Sequence, residues 1–226
     1  MTDTLHGAAT RMRVRPPLLA ASPWVLPAAG ATMGWCAVAV VARTQGQGHA
    51  HHLLGVAAMS VAMMSPLAYP ACLAAARSSV WTSSARCVTV AFTAFLAVWI
   101  AAGSVLHVLT ELVLDVVPRA TFATALAAWC AVDTVSRRRA ERLAACAVTR
   151  PLPPGAATAG AIDLGETSGL RCVATCWAVM ALAVALPVLA VPVAVVIVVE
   201  RLVEPRPRWA LAALFTLVAI GALAMV

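Results

Sequence analysis

The sequence predicts an all-α protein, a polytopic transmembrane helical bundle of about six to seven spanning segments. Three observations predict it. Of the 226 residues, 62% are hydrophobic and only 11% are charged, with a mean hydropathy of +0.92. A soluble domain carries roughly 25% charged residues and has no core able to hide so much apolar surface. The apolar residues fall in long continuous runs without the two-residue alternation of a membrane barrel, so helices are the expected spanning element. The charges lie between those runs. All 16 basic residues are Arg and the net charge is +7. In those positions the arginines read as topology determinants, and no nucleic-acid partner is expected.

The elements follow in order. Residues 1–21 carry Arg11, Arg13 and Arg15 ahead of Pro16 and Pro17 and read as a basic cytoplasmic tail. Residues 22–226 read as a single transmembrane domain. Its first span runs from Trp24 to Ala42 and stops at Arg43. A Gln/Gly turn separates it from the second, about His52 to Ala76, which stops at Arg77. The third runs from Cys87 to about Leu109. If that helix extends, His107, Glu111 and Asp115 form a stripe at steps of four before Pro118. The fourth, about Thr121 to Val135, contains Asp133, which reads as a surface ion pair with the cluster Arg137, Arg138, Arg139 and Arg142. Residues 143–169, rich in Ala, Pro, Gly and Thr, read as a flexible loop.

The apolar run from Cys172 to Val199 is too long for one upright span. As a single helix it measures about 42 Å, against a hydrocarbon core of about 30 Å. It must tilt, kink or break, and Pro187 and Pro192 offer a break. Charge arbitrates. With the N-terminus cytoplasmic, an unbroken span puts Arg201, Arg206 and Arg208 outside together with Arg43 and Arg119. A broken one leaves only Arg43 and Arg119 outside, which the positive-inside rule favours. The last span is Trp209 to Val226. The expected location is the cell membrane, multi-pass, with the lipid bilayer as surroundings.

Two kinds of donor atom are placed where a metal could use them. His49, His51 and His52 stand at the outer mouth of the second helix, and His107, Glu111 and Asp115 end the third on the same side. Four imidazoles and two carboxylates suit Cu(II) or Zn(II). A solvated loop with no ion accounts for them equally. Deeper, Met59 and Met63 share a helix face, Met64 follows, and Cys172, Cys176 and Met180 step by four along another helix. Thiolate and thioether donors select Cu(I). On the first helix Met33 and Cys36 are three apart, and Cys72 comes near the depth of Cys172. The competing reading is packing, since Met fills gaps and Cys behaves as a small apolar residue. Seven Cys, mostly inside apolar runs, argue against a disulfide framework. Trp24, Trp99, Trp129 and Trp209 read as interface or packing residues, while Trp177 either shields a sulfur site or packs.

Two stretches together carry a resemblance. Met59-Ser-Val-Ala-Met63-Met64-Ser-Pro66 looks like a Met-x-x-Ala-Met-Met-x-Pro signature, and Cys172-Val-Ala-Thr-Cys176-Trp177-Ala-Val-Met180 is similar to Cys-x-x-x-Cys-Trp-Ala-x-Met. Glu200-Arg201 after the following apolar run fits as well. The family they resemble is the predicted metal-binding integral membrane proteins, also described as copper chaperones of the polyphenol-oxidase type. The motif order matches over about residues 24–226. The family usually has Trp where this chain has Val56, and often Gly-Cys where it has Ala174-Thr175. The resemblance implies a membrane protein that delivers copper to a partner such as a copper-dependent oxidase. It implies Met59, Met63, Met64, Cys172, Cys176 and Met180 as signature positions.

The expected function is therefore a non-catalytic copper-binding chaperone or metallation factor. A membrane transporter of a metal ion or small solute is the first alternative, and a structural subunit of a membrane complex the second. An enzyme is not expected, because no nucleophile, base and orienting group recur at a recognisable spacing.

Overall fold

The computed structural model describes residues 22–44, 49–79, 83–147, 157–202 and 208–223. These are helical throughout apart from short turns, with no strand among them. In chain order the helices are α1 (Val25–Arg43), α2 (His49–Met64), α3 (Tyr69–Ser78), α4 (Ser84–Leu114), α5 (Arg119–Val135), α6 (Arg137–Ala147), α7 (Ala157–Ala185), α8 (Ala190–Leu202) and α9 (Arg208–Leu223). Four stretches, Val25–Arg43, His51–Ser78, Ser84–Leu114 and Thr158–Ala185, are long and apolar enough to cross a bilayer. Pro187–Glu200 and Trp209–Gly221 are shorter apolar helices. The basic tail read at residues 1–21 lies outside the described residues.

α2 and α3 act as one bent rod. Pro66 has no N–H to give to the ladder, and a 3-10 turn at Ser65–Ala68 bridges the gap. The Ser65 hydroxyl donates to the Val61 carbonyl at 2.6 Å, a back-bond that favours such a bend. Small residues let the neighbouring rod come close. On α1, a Cβ added at Gly34 would collide with the Ala62 backbone of α2, and one at Gly30 would meet the Ser65 hydroxyl. Helices in lipid gain association from such close backbone packing. The same contacts fix the direction: Gly30 faces Ser65 and Gly34 faces Ala62, so α1 and α2 run antiparallel.

The loop expected at 143–169 is helical at both ends. α6 continues to Ala147 and α7 begins at Ala157. Two glycines of that stretch are contact residues. A Cβ on Gly165 would run into the Ala91 carbonyl, and one on Gly169 would sit 3.0 Å from Val98 Cβ. α7 therefore lies along α4, and because 165 faces 91 and 169 faces 98, the two run parallel. α9 packs on α5.

The long apolar run does break. α7 ends at Ala185, Leu186 leaves helical geometry (φ −129°, ψ 83°), and a 3-10 turn at Pro187–Leu189 starts α8. Pro192 falls in the first turn of α8, where a missing N–H costs nothing. At 1.5 Å per residue the climb from Thr175 to Pro187 and the descent to Glu200 are each about 18–20 Å. Glu200 thus returns to the height of Thr175, and a single guanidinium, that of Arg139, bonds to both. The core these elements enclose contains Met59, Met63, Met64, Cys72, Cys172, Cys176 and Met180 in one continuous buried cluster.

Candidate metal-handling site

The sulfur donors lie at the centre of the bundle. Met63, Met64 and Met180 are completely buried, Cys176 and Cys172 nearly so, and Met59 is 8% exposed. The reason is local. Met59 and Met63 occupy the inward face of α2, and the steps of four from Cys172 to Met180 keep one face of α7 turned to the core. The donor set, thioethers and thiols, fits a soft monovalent ion. Met33 and Cys36 do not join it. Both face outward, Met33 at 65% exposure, because Gly30 and Gly34 define the buried side of α1. Trp177 does not cover the sulfurs either; it stacks obliquely on Trp129 at 6.5 Å on the outer surface.

The imidazoles gather at one end of the bundle. His51, His52, His107, Glu111 and Met59 line a common cavity of about 460 Å3, together with Arg119 and Pro187. The His52 and His107 rings lie 6.3 Å apart and nearly parallel, and His51 meets His52 edge-on at 6.4 Å. His107 Nδ1 stands 3.9 Å from a Glu111 carboxylate oxygen one turn on. The side chain of His49 lies outside the described residues. Asp115 caps α4 and is exposed, so it takes no part in the cavity. Among the described residues no three His, Cys, Asp or Glu side chains stand close enough to hold one ion. The imidazoles therefore line a cavity without closing a three-ligand set, and Met59 lies on the same wall.

A buried ion network beside the thiols is absent from the sequence reading. Arg139 is 2% exposed and sends Nε and Nη2 to the two oxygens of Glu200 at 2.8 and 2.7 Å. Its Nη1 donates to Asp133 at 2.8 Å and to the Thr175 carbonyl at 3.0 Å. Arg142 holds the other Asp133 oxygen at 2.6 Å. Burial alone lowers the pKa of this guanidinium, but the hydrogen bond and charge of Glu200, helped by Cys176 and Asp133, overturn that effect. The net direction is upward and Arg139 stays charged. Asp133 is thus no surface pair; it is a mostly buried carboxylate holding two arginines. The signal for it was an acid, Glu200, closing an apolar run: a carboxylate buried among apolar helices needs a cationic partner. Nearby, the Cys146 thiol and the Thr175 hydroxyl are in contact at 3.5 Å.

A family model described as PpoB2, copper chaperone, matches residues 53–225. The match takes in both sulfur-bearing segments, His107 and the Arg139–Glu200 pair, and begins just after His52. No curated protein and no solved structure gave a match. With most of its length covered, the chain belongs to the PpoB2 family of copper chaperones.

Proposed function

We propose that this chain is an integral membrane chaperone that takes up Cu(I) as cargo on buried sulfur and passes it to a copper-dependent acceptor, such as an oxidase. The observation that carries the reading is the shared burial of both signature segments, with Met63, Met64 and Met180 at 0% exposure and Cys172 and Cys176 at 3% and 1%. Thioether and thiol donors favour the soft monovalent ion, which accepts two or three sulfur donors, over harder divalent ions. In this reading His51, His52 and His107 receive the ion at the extracytoplasmic mouth, Met59 takes it inward, and Met63, Met64, Cys172, Cys176 and Met180 hold it. Four apolar helices of spanning length support the membrane setting.

The test is anaerobic loading with Cu(I) against a chromophoric chelator, followed by X-ray absorption at the copper edge. The reading expects retained copper with a sulfur-dominated first shell. A shell of nitrogen and oxygen alone contradicts it. A transporter is the second reading, favoured by a cavity walled in part by the Pro187 break, since discontinuous helices commonly build translocation sites. Copper accumulation inside sealed vesicles containing the purified protein, in place of binding alone, supports that alternative.

A further inference from the structure

Three polar atoms on the packed helices α2 and α4 have no hydrogen-bond partner among the described residues: Ser60 Oγ, Trp99 Nε1 and His107 Nδ1. Ser60 and Trp99 are fully buried, at 0% exposure. In an apolar bundle a lone hydroxyl or indole N–H is a costly thing to enclose. Their placement is regular. Trp99, Gly103 and His107 succeed one another at steps of four on α4, so they stack along one face about 6 Å apart. Gly103 completes the series from across the seam: a Cβ there would strike Ser60 Oγ, so the missing side chain is the notch in which the hydroxyl sits. The top of the series, His107, opens into the cavity it shares with His51, His52 and Met59.

The geometry points to a file of bound water in this seam, running from the histidine cavity past Ser60 to the indole N–H of Trp99. The atoms suit water in turn: an imidazole nitrogen, a hydroxyl that both donates and accepts, and an indole that only donates. Buried water of this kind satisfies polar groups that the chain itself leaves open. The file runs beside the sulfur stripe. Gly169 of α7 packs on Val98 and Phe95 of the parallel helix α4. Advancing both helices by the same rise sets Cys172, Cys176 and Met180 at about the heights of Trp99, Gly103 and His107. Water therefore reaches the level of the buried thiols through a seam that is polar on one side only. Its use rests on the copper reading above: an ion arriving with a hydration shell sheds it before sulfur can bind, and the file is where that water leaves.

The probe is water, so the file is tested without copper. In the full-length protein in detergent micelles, 15N-labelled tryptophan gives indole N–H signals, and Trp99→Phe identifies that of Trp99. On transfer to D2O the Trp99 indole is expected to exchange at least tenfold faster than the backbone amides of neighbouring α4 residues. Gly103→Ala, whose methyl pushes the Ser60 hydroxyl out of its notch, slows that exchange at least tenfold. Ser60→Ala, which adds no volume, slows it several-fold and covers the case in which Gly103→Ala fails to fold. Exchange of the wild-type indole as slow as its surrounding amides overturns the proposal, as does exchange unchanged in both folded variants. A hydrated seam in a protein that retains no Cu(I) keeps the file and removes the copper reading. Retained Cu(I) beside a dry seam does the reverse.

Discussion

Arg139 and Glu200 meet side by side in the interior, Nε to Oε1 at 2.8 Å and Nη2 to Oε2 at 2.7 Å, across 61 residues of sequence. This fork fastens the end of α8 to the start of α6, and its third arm reaches the α7 backbone at Thr175. It holds the returning half-helix against the helix that carries the thiols. Removing one partner leaves a buried charge without its counter-ion. Glu200→Ala is expected to lower unfolding stability in detergent by about 3 kcal/mol. Replacing both partners together, Arg139→Met with Glu200→Met, is expected to cost less than either single change. Thermal and denaturant unfolding of the three variants checks the order.

Glycine on α7 has a packing role that predicts opposite outcomes at two sites. Gly165→Ala drives a methyl into the Ala91 carbonyl of α4 and is expected to cost about 1–3 kcal/mol. Gly221→Ala meets nothing within 4 Å and is expected to be neutral or to gain up to about 1 kcal/mol from helix propensity. Unfolding midpoints measured side by side distinguish the two.

Met180 separates packing from binding. Leu is close to Met in volume, so Met180→Leu is expected to cost less than about 1.5 kcal/mol of stability. It removes a fully buried thioether at a signature position, so copper retention against a competing chelator is expected to fall several-fold. A residue that only packs loses neither.

The imidazoles are expected to govern the rate of loading and not its extent. The triple change His51→Ala, His52→Ala, His107→Ala is expected to slow Cu(I) uptake several-fold in stopped-flow loading, with final copper content unchanged. Lost capacity at an unchanged rate would place the ion among the imidazoles.

Much of this architecture was legible because apolar length and charge placement are strong signals. Helices appear where the apolar runs stood, four of them among the described residues long and apolar enough to cross a bilayer, and the break at Pro187 follows from a run too long for one span whose charges favour a return. The inward faces of Met59, Met63, Cys172, Cys176 and Met180 follow from helical spacing. What escaped was what only packing decides. The segment at 157–169 is rich in Ala, Gly and Thr, and composition alone cannot distinguish a glycine that breaks a helix from Gly165, which lets one press against Ala91. Arg139 looks like its exposed neighbours Arg137 and Arg138; only the return of α8, which brings Glu200 back to Thr175, makes it a buried group. Trp177 and Cys176 are adjacent in sequence, yet 100° of helical rotation separates an outer surface from the core.

The most direct test of the account is the copper content, per folded chain, of the wild type beside the double variant Cys172→Ser, Cys176→Ser, both loaded with Cu(I) and then washed with a chelator. The account predicts that the wild type keeps its copper and the variant loses most of it, with helical content and unfolding midpoint nearly unchanged. Equal copper in the two folded proteins would contradict it.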